Sequence, residues 1–402
     1  MDRRLFLKSS LAAAVLARLG ISKEPPVQPA DVVAGNNQFA FELFSKVRKE
    51  EGNLFCSPFS VSTALAMTAA GARGKTAQEM IEVLHFPGAP EAGHSVFGKL
   101  IQQFNANDPK RGYLLAVANA LWAAKGYDFK KEYLDFVNQH YGARLTELDF
   151  ANETEKSRQT INQWVEKQTQ DRIKDLMPQG SIKGDTRLVL TNAIYFKGNW
   201  ADQFDKKATR EELFEVSADQ KIKTPMMHRT GHYGYYENEI VQMLSIPFKS
   251  GALSMMFALP KKKGALTELE SKATVENVRT WIAGVRVSEV VATLPRFEMT
   301  KNFDLVPVLS DMGMKSAFGP MADFTGMSDK EGLMISDVIH KAFVVVNEEG
   351  AEAAAATGVT IRPTAMPERK NFRADHPFLF FIRDNKSGSI LFIGRLANPS
   401  SK

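Results

Sequence analysis

The sequence holds a single cysteine in 402 residues, Cys56. That excludes an intramolecular disulfide framework and any multi-cysteine zinc or iron–sulfur site. Long apolar runs are also missing: Leu11-Ala12-Ala13-Ala14-Val15-Leu16-Ala17 is too short to span a bilayer, and no other window reaches eighteen uninterrupted apolar residues. Net charge is small, +5 at pH 7. In residues 1–30, Arg3, Arg4, Lys8, Arg18 and Lys23 face only Asp2 and Glu24, a balance of +3 that leaves +2 for all the rest. A nucleic-acid partner is therefore not expected, and no basic stretch interleaves with aromatics as a single-strand-binding surface requires. Lys261-Lys262-Lys263, between Pro260 and Gly264, reads as a solvated hairpin tip.

Catalytic motifs are absent as well. There is no G-x-S-x-G elbow and no H-E-x-x-H pair among the seven histidines. His228 and His232 are four apart, but Gly231 and Gly234 argue against a helical metal face. Gly71-Ala72-Arg73-Gly74-Lys75-Thr76 ends like a phosphate-binding loop, yet Ala69 stands where its first glycine belongs and a helical run precedes it. It reads as a helix-to-helix turn. The chain is thus not read as an enzyme, and no metal or cofactor is assigned.

What is present is a globular composition, 44% hydrophobic and 24% charged, incompatible with a disordered chain. Length alone allows two or three domains. The start, Arg3-Arg4 followed by Phe6-Leu7-Lys8 and the short apolar run, resembles a bacterial twin-arginine export signal, with a basic amphipathic first helix as the alternative. Pro25, Pro26 and Pro29 read as a linker, so residues 1–30 are taken as signal and linker, and 31–402 as the folded part, exported to the periplasm or outside the cell.

Beyond residue 35 helical and strand patterns alternate without a polar break. Phe39, Leu43 and Val47 share one helix face. Thr76-Ala77-Gln78-Glu79 has capping-box spacing before Met80, Ile81 and Leu84. Asn152 with Glu155 opens a helix bearing Ile161, Trp164 and Val165. Strand-like runs cover Leu188–Phe196, Val241–Pro247, Leu253–Leu259, Val290–Leu294 and Phe343–Val346. Phe378–Arg383 and Ile390–Leu396 form a hairpin about Asp384-Asn385-Lys386-Ser387-Gly388-Ser389. Helices dominate the first half and strands the second, as in an α+β protein with large mixed sheets.

Residues 347–367 stand apart. Propensity makes Ala351–Ala356 helical, whereas Gly350, Gly358 and the β-branched run Val359-Thr360-Ile361 oppose a helix. With a period of two, Ala351, Ala353, Ala355, Thr357, Val359 and Ile361 share one face, small or apolar throughout. Glu352, Ala354, Ala356, Gly358, Thr360 and Arg362 share the other, which holds every charge. That suits a strand threaded between neighbours, yet Arg362 to Lys370 is a polar, proline-bounded stretch fit for an exposed loop. A segment suited to both states reads as a switch.

Asn347-Glu348-Glu349-Gly350-Ala351-Glu352 with its alanine run resembles the reactive-loop hinge of the serpins, inhibitors that trap proteases by loop insertion. The resemblance runs from about residue 36 almost to the end. Asn53-Leu54-Phe55-Cys56-Ser57-Pro58-Phe59-Ser60 is similar to the family's early shutter motif, and Thr191-Asn192-Ala193-Ile194-Tyr195-Phe196-Lys197-Gly198-Asn199-Trp200 to its central signature. Ile339-His340-Lys341-Ala342, His376-Pro377-Phe378 and Phe392-Ile393-Gly394-Arg395 follow in the family's order.

The resemblance implies one serpin domain: three β-sheets, about eight or nine helices and an exposed reactive-centre loop at about 348–371. It implies a suicide substrate for a target serine protease. The protease would attack the loop, and the freed segment would insert as a new strand of the main sheet. Twelve to fifteen residues at about 3.3 Å each would carry the bound protease roughly 40–50 Å. Ser57, Ser60, Asn192 and His340 would form the shutter beneath the opening sheet. Trp200 with the charge pair Arg296 and Glu348 would mark the breach where the loop enters. Glu348 to Thr357 (Glu349, Gly350, Ala351, Glu352, Ala353, Ala354, Ala355 and Ala356 between) would be the hinge; Ala351 replaces the threonine or serine many inhibitory members carry. The family's hinge-to-cleavage length puts the scissile bond at Thr364-Ala365, with Ala365-Met366 second. Pro363 and Pro367 disfavour cutting after Arg362 or Met366, and Arg369 would make the insert about five residues too long. Small residues there point to an elastase- or subtilisin-like target. The alternatives are a non-inhibitory, binding or chaperone-like serpin and an inhibitor of cysteine proteases. No heparin-type cofactor is expected, since Val96–Asn105 offers only Lys99, and a monomer is.

Overall fold

The computed structural model describes residues 27–87, 90–105, 111–143, 145–350 and 369–401. Among them are nine α-helices, beginning with Pro29–Val47. Phe39, Leu43 and Val47 are all buried on its inner face, as the four-residue spacing requires. Pro29 is not linker but the first residue of this helix. A proline there forfeits no hydrogen bond, because the first amides of a helix have no internal acceptor. The next helix, Pro58–Ala69, is buried along its whole length. Helices Gly74–Leu84, Pro90–Asn105 and Lys131–Tyr141 pack around it, and Thr154–Gln168 lies apart from them.

Two expected caps differ. Helix Gly74–Leu84 starts two residues before Thr76, with Arg73 at its N-cap. Thr76 accepts the Asp323 N–H at 3.0 Å, and Glu79 receives Ser316 N–H and Oγ–H at 2.6 and 2.9 Å. Tertiary partners have claimed both side chains of the presumed box. Helix Thr154–Gln168 has Glu153 as N-cap, while Asn152 donates to Asp149 and Glu155 pairs with Arg158. Ile161 and Val165 are buried as the helical period demands.

The strands in chain order are β1 (Leu54–Cys56), β2 (Tyr113–Ala124), β3 (Leu145–Leu148), β4 (Leu188–Gly198), β5 (Arg210–Glu215), β6 (Lys221–Glu237) and β7 (Val241–Pro247). After them come β8 (Leu253–Pro260), β9 (Arg286–Pro295), β10 (Phe297–Asp304), β11 (Ile335–Val346), β12 (Lys370–Arg373), β13 (Phe378–Asp384) and β14 (Ile390–Leu396). One sheet has five strands, ordered β10-β11-β4-β2-β3. The second has nine, ordered β1-β14-β13-β8-β7-β6-β9-β12 with β5 on β6. The second and third sheets of the expected three are thus hydrogen-bonded into one, because the 17-residue β6 continues from one ladder to the other.

The five-stranded sheet is covered on both faces. Leu188, Leu190, Ile194 and Phe196 of β4 enter the main core with the helix Pro58–Ala69. Val189, Ala193 and Tyr195 enter a second core with Ile161, Val165, Ile173 and Met177. A strand buried on both faces reads as a continuous apolar run, which is why β4 is legible in sequence. β11 is longer than the expected Phe343–Val346: Asp337, His340 and Lys341 interrupt its apolar pattern, and a bulge lies between Ile335 and Asp337. Lys261-Lys262-Lys263 is exposed as expected, but it joins β8 to the helix Leu266–Lys272 and tips no hairpin.

Candidate functional site

The site is built around the seam between β4 and β11, the parallel pair at the centre of a sheet whose other strand pairs include antiparallel neighbours on both sides. Eight residue pairs close it, from Leu188 with Ile335 to Tyr195 with Phe343. A single row crosses four strands at mid-seam: Asn119 of β2, Asn192 of β4, His340 of β11 and Phe303 of β10. Phe303 stacks on the imidazole, centroids 6.1 Å apart and planes 11° from parallel.

Beneath this row lies the start of the helix Pro58–Ala69. The Ser57 N–H donates to His340 Nε2 at 3.0 Å. A backbone amide can only donate, so Nε2 is bare and the imidazole proton is on Nδ1, which donates to Asn192 Oδ1. Asn192 Nδ2 in turn donates to Ser60 Oγ at 2.7 Å and to Asn119 Oδ1. Ser60 Oγ donates to Asn119 Oδ1 at 3.1 Å, and Asn119 Nδ2 returns to the Ser60 carbonyl at 3.3 Å. Ser57 caps the helix by accepting the Ser60 N–H and donates to the Leu391 carbonyl of β14 at 2.7 Å. Ser57, Ser60, Asn192 and His340 are therefore one chain of bonds. Burial drives the His340 pKa down to about 3, so the ring is neutral at pH 7. Asn119 belongs to the cluster though its motif carried no mark; its register opposite Asn192 is the only signal for it. Cys56, next to Ser57, is packed in the core, and burial pushes its thiol up to about 12.

At the other end the seam is parted. β11 stays paired to β10 through Val346 with Phe297, and β4 to β2 through Gly198 with Tyr113, but their mutual register stops at Tyr195 and Phe343. The chain then reverses. Asn347 and Gly350 exchange backbone bonds of 3.0 and 3.2 Å around Glu348-Glu349. Gly350 also bridges Asn199 antiparallel. It thus occupies the first rung of a position between β4 and β11, antiparallel to both. Its φ of +113° and a Cβ position 2.2 Å from the Gly198 carbonyl oxygen leave room for glycine alone.

This turn is anchored by the predicted breach residues. Trp200, buried and stacked on Phe248 at 4.9 Å, donates from Nε1 to the Asn347 carbonyl at 2.9 Å. The Trp200 and Phe204 amides donate to the carbonyls of Glu349 and Glu348 at 3.1 and 2.8 Å. The Glu348 carboxylate, 4% exposed, receives the Thr209 hydroxyl at 2.7 Å and meets Arg296 Nε at 3.4 Å. Arg296 is 49% exposed, so the pair is half surface contact and half buried clasp. Lys206 pairs with Glu349. Lys206 and Thr209 were not legible in sequence, because they arrive from the irregular connection after Trp200.

Ala351, Glu352, Ala353, Ala354, Ala355, Ala356, Thr357, Thr364 and Ala365 lie outside the described residues, as does the N-terminal signal. The far end of the loop is narrower than expected: Lys370 and Asn371 already belong to β12, parallel to β9, and Arg369 pairs with Glu289 at 3.0 Å. His228 and His232 fall on strand β6, and among the described residues no group of three His, Cys, Asp or Glu could hold a metal ion.

The family model described as Serpin (serine protease inhibitor) matches residues 34–399. A serpin-like protein of Thermococcus kodakarensis is 42% identical over 375 residues, covering 92% of this chain and 87% of its own. The human leukocyte elastase inhibitor is 41% identical over 380 residues, covering 91% and 99%. Uncleaved ovalbumin superposes with a TM-score of 0.83 at 29% identity, covering 92% of this chain and 100% of its own. A family-model match over residues 34–399, with relatives above 40% identity along most of the chain, is decisive: the chain belongs to the serpin family.

Proposed function

We propose that this serpin is a serine protease inhibitor that acts as a monomeric suicide substrate, with an elastase- or subtilisin-like protease as its target. The family is one of protease inhibitors, and neither a G-x-S-x-G elbow nor an H-E-x-x-H pair occurs in the sequence. The observation that carries the reading is the parallel seam of β4 and β11 with Gly350 already on its first rung. A strand continuing from Gly350 would run antiparallel to both neighbours. It would replace one parallel ladder by two antiparallel ones, the more stable pairing per residue. The native fold leaves those bonds unmade, so its persistence is kinetic.

In the proposed reaction the target's nucleophilic hydroxyl attacks the Thr364 carbonyl carbon. The Thr364–Ala365 bond breaks, the Ala365 amine leaves with a proton, and an ester joins Thr364 to the protease. The freed segment then enters the seam and carries the ester with it before water can cleave it. The human relative named a leukocyte elastase inhibitor, 41% identical, supports a small-pocket target. The twin-arginine-like start extends the proposal to export; changing Arg3-Arg4 to lysines should retain the chain inside the cell.

The test is to mix the full chain with an elastase-like and a subtilisin-like protease. A complex that survives denaturing electrophoresis, with a released fragment beginning at Ala365, supports the proposal. Clean cleavage with the protease left active assigns the chain to the non-inhibitory reading.

A further inference from the structure

The motif that fails as a phosphate loop lines a hollow that protease inhibition does not use. Residues 70–73 join the helix Pro58–Ala69 to the helix Gly74–Leu84. With the helix Lys131–Tyr141 and His94 they line a half-open hollow of about 790 Å³, within the span of small-molecule sites, ~300–1,000 Å³. Ala69, Ala70, Ala72, Ala77 and Ile81 give it a wall of short side chains on which a flat ring can lie. Tyr133 and Phe136 add aromatic surface, and the Tyr133 hydroxyl is already spent on the Met67 carbonyl at 3.2 Å.

One polar side chain of the lining keeps a ring nitrogen without a partner among the described residues. His94 is 3% exposed and has Phe86 and Phe136 rings at 4.8 and 5.4 Å. Its Nδ1 meets the buried Tyr141 hydroxyl, which has no other partner among the described residues. Buried hydroxyl hydrogens need acceptors, so Tyr141 donates and Nδ1 accepts. Burial, then the nearby His140, lowers the His94 pKa to about 4, so the ring is neutral and its one proton is on Nε2. That Nε2–H has no acceptor among the described residues. The rim adds no net positive charge. Arg73 donates from Nη1 to the carbonyls of Ala70 and Ala72 at 3.1 and 2.7 Å, with Glu132 at the same rim. Thr325 and then Arg73 hold the Asp323 carboxyl below its usual range, so that acid is ionised beside the guanidinium.

We propose that this hollow binds a small neutral aromatic molecule, one or two rings bearing a single oxygen acceptor such as a ketone. The ring lies on the alanine wall and the oxygen accepts from His94 Nε2–H. The site is independent of the protease-inhibitor reading and stands or falls without it.

The test titrates the full chain with 2-acetonaphthone and with 2-isopropenylnaphthalene, in which a methylene replaces the oxygen, by ligand-observed NMR. The ketone should bind saturably, one to one, and about tenfold tighter than the alkene, the worth of one buried hydrogen bond. Ala77→Leu fills the hollow from a helical position and should abolish binding with the melting temperature retained. His94→Phe should bind both probes alike. No saturable binding, meaning a hollow that holds water only, overturns the proposal. So does equal affinity of the wild type for the two probes, or ketone binding that survives Ala77→Leu.

Discussion

The two ends of the β4–β11 seam are built oppositely. Below Tyr195 and Phe343 it is closed by eight backbone pairs and by a buried relay in which every proton of His340, Asn192, Ser60 and Ser57 has an acceptor. Above them the strands part, and the Gly350 turn is held by Trp200 Nε1 on the Asn347 carbonyl, by the Trp200 and Phe204 amides, by Thr209 on Glu348 and by the half-exposed Arg296–Glu348 pair. The closed end is expensive to disturb, because breaking any one bond strands a polar group in the core. The parted end is cheap to disturb at Arg296 alone, because water can replace much of what that half-exposed guanidinium supplies. In the proposed reaction a strand would begin to enter at the parted end, and the closed end would resist its progress.

The largest effect is expected where the segment after Gly350 cannot enter the seam at all. Ala355→Arg would place an unpaired guanidinium on the inward face of the inserted strand, at a cost of about 3–5 kcal/mol. Trapping should give way to plain cleavage while the uncleaved protein melts as the wild type does, checked by denaturing gels and calorimetry. Next in size is the closed end. His340→Ala leaves the Ser57 N–H and Asn192 Oδ1 without partners and opens a cavity, costing about 2–4 kcal/mol. Thermal scans should show a lower unfolding midpoint, with the seam opening before the rest of the fold.

Acid sharpens the same point. The folded His340 pKa, about 3, lies below the ordinary 6.5. The unfolded chain thus binds a proton between those values that the folded chain refuses. The stability His340 contributes is fully present above pH 6.5 and falls toward pH 3, by at most ~1.4 kcal/mol per pH unit. The stability gap between wild type and His340→Ala should therefore narrow as pH falls through that window. Denaturant titrations at several pH values test it, and a constant gap would mean that the ring is not held neutral. Asp337, raised to about 6 chiefly by burial and then by Asp304, acts with the opposite sign in both proteins and cancels in the difference. The smallest effect belongs to the parted end. Arg296→Met should cost at most about 1 kcal/mol, visible as a modest change in inhibition rate with little change in melting.

Much of this was legible in the sequence, for physical reasons that differ by residue. β4 and β14 are buried strands of mostly apolar side chains, and β7 alternates buried with half-buried residues, so the bounds of all three were nearly right. β11 was half hidden, because its shutter histidine and the charged Asp337 and Lys341 look like loop residues until neighbouring strands bury them. The capping box at Thr76 misled because local spacing cannot see Asp323 and Ser316, more than two hundred residues away. Asn119 and Thr209 escaped for the same reason: only strand register and chain reversal bring them to Asn192 and Glu348. Ser57, Ser60, Asn192 and His340, and Trp200, Arg296 and Glu348, came from the motifs of the resemblance, and the structure brings each set together.

If the seam is a vacant strand position, cutting the loop should fill it, and the melting temperature before and after the cut reads this out. Nick the chain between Gly350 and Arg369 with a protease that it does not trap, and compare the two forms by calorimetry. Nicking should raise the melting temperature sharply, because the freed segment would fill the seam with two antiparallel ladders. A nicked protein that melts at or below the intact temperature would contradict it.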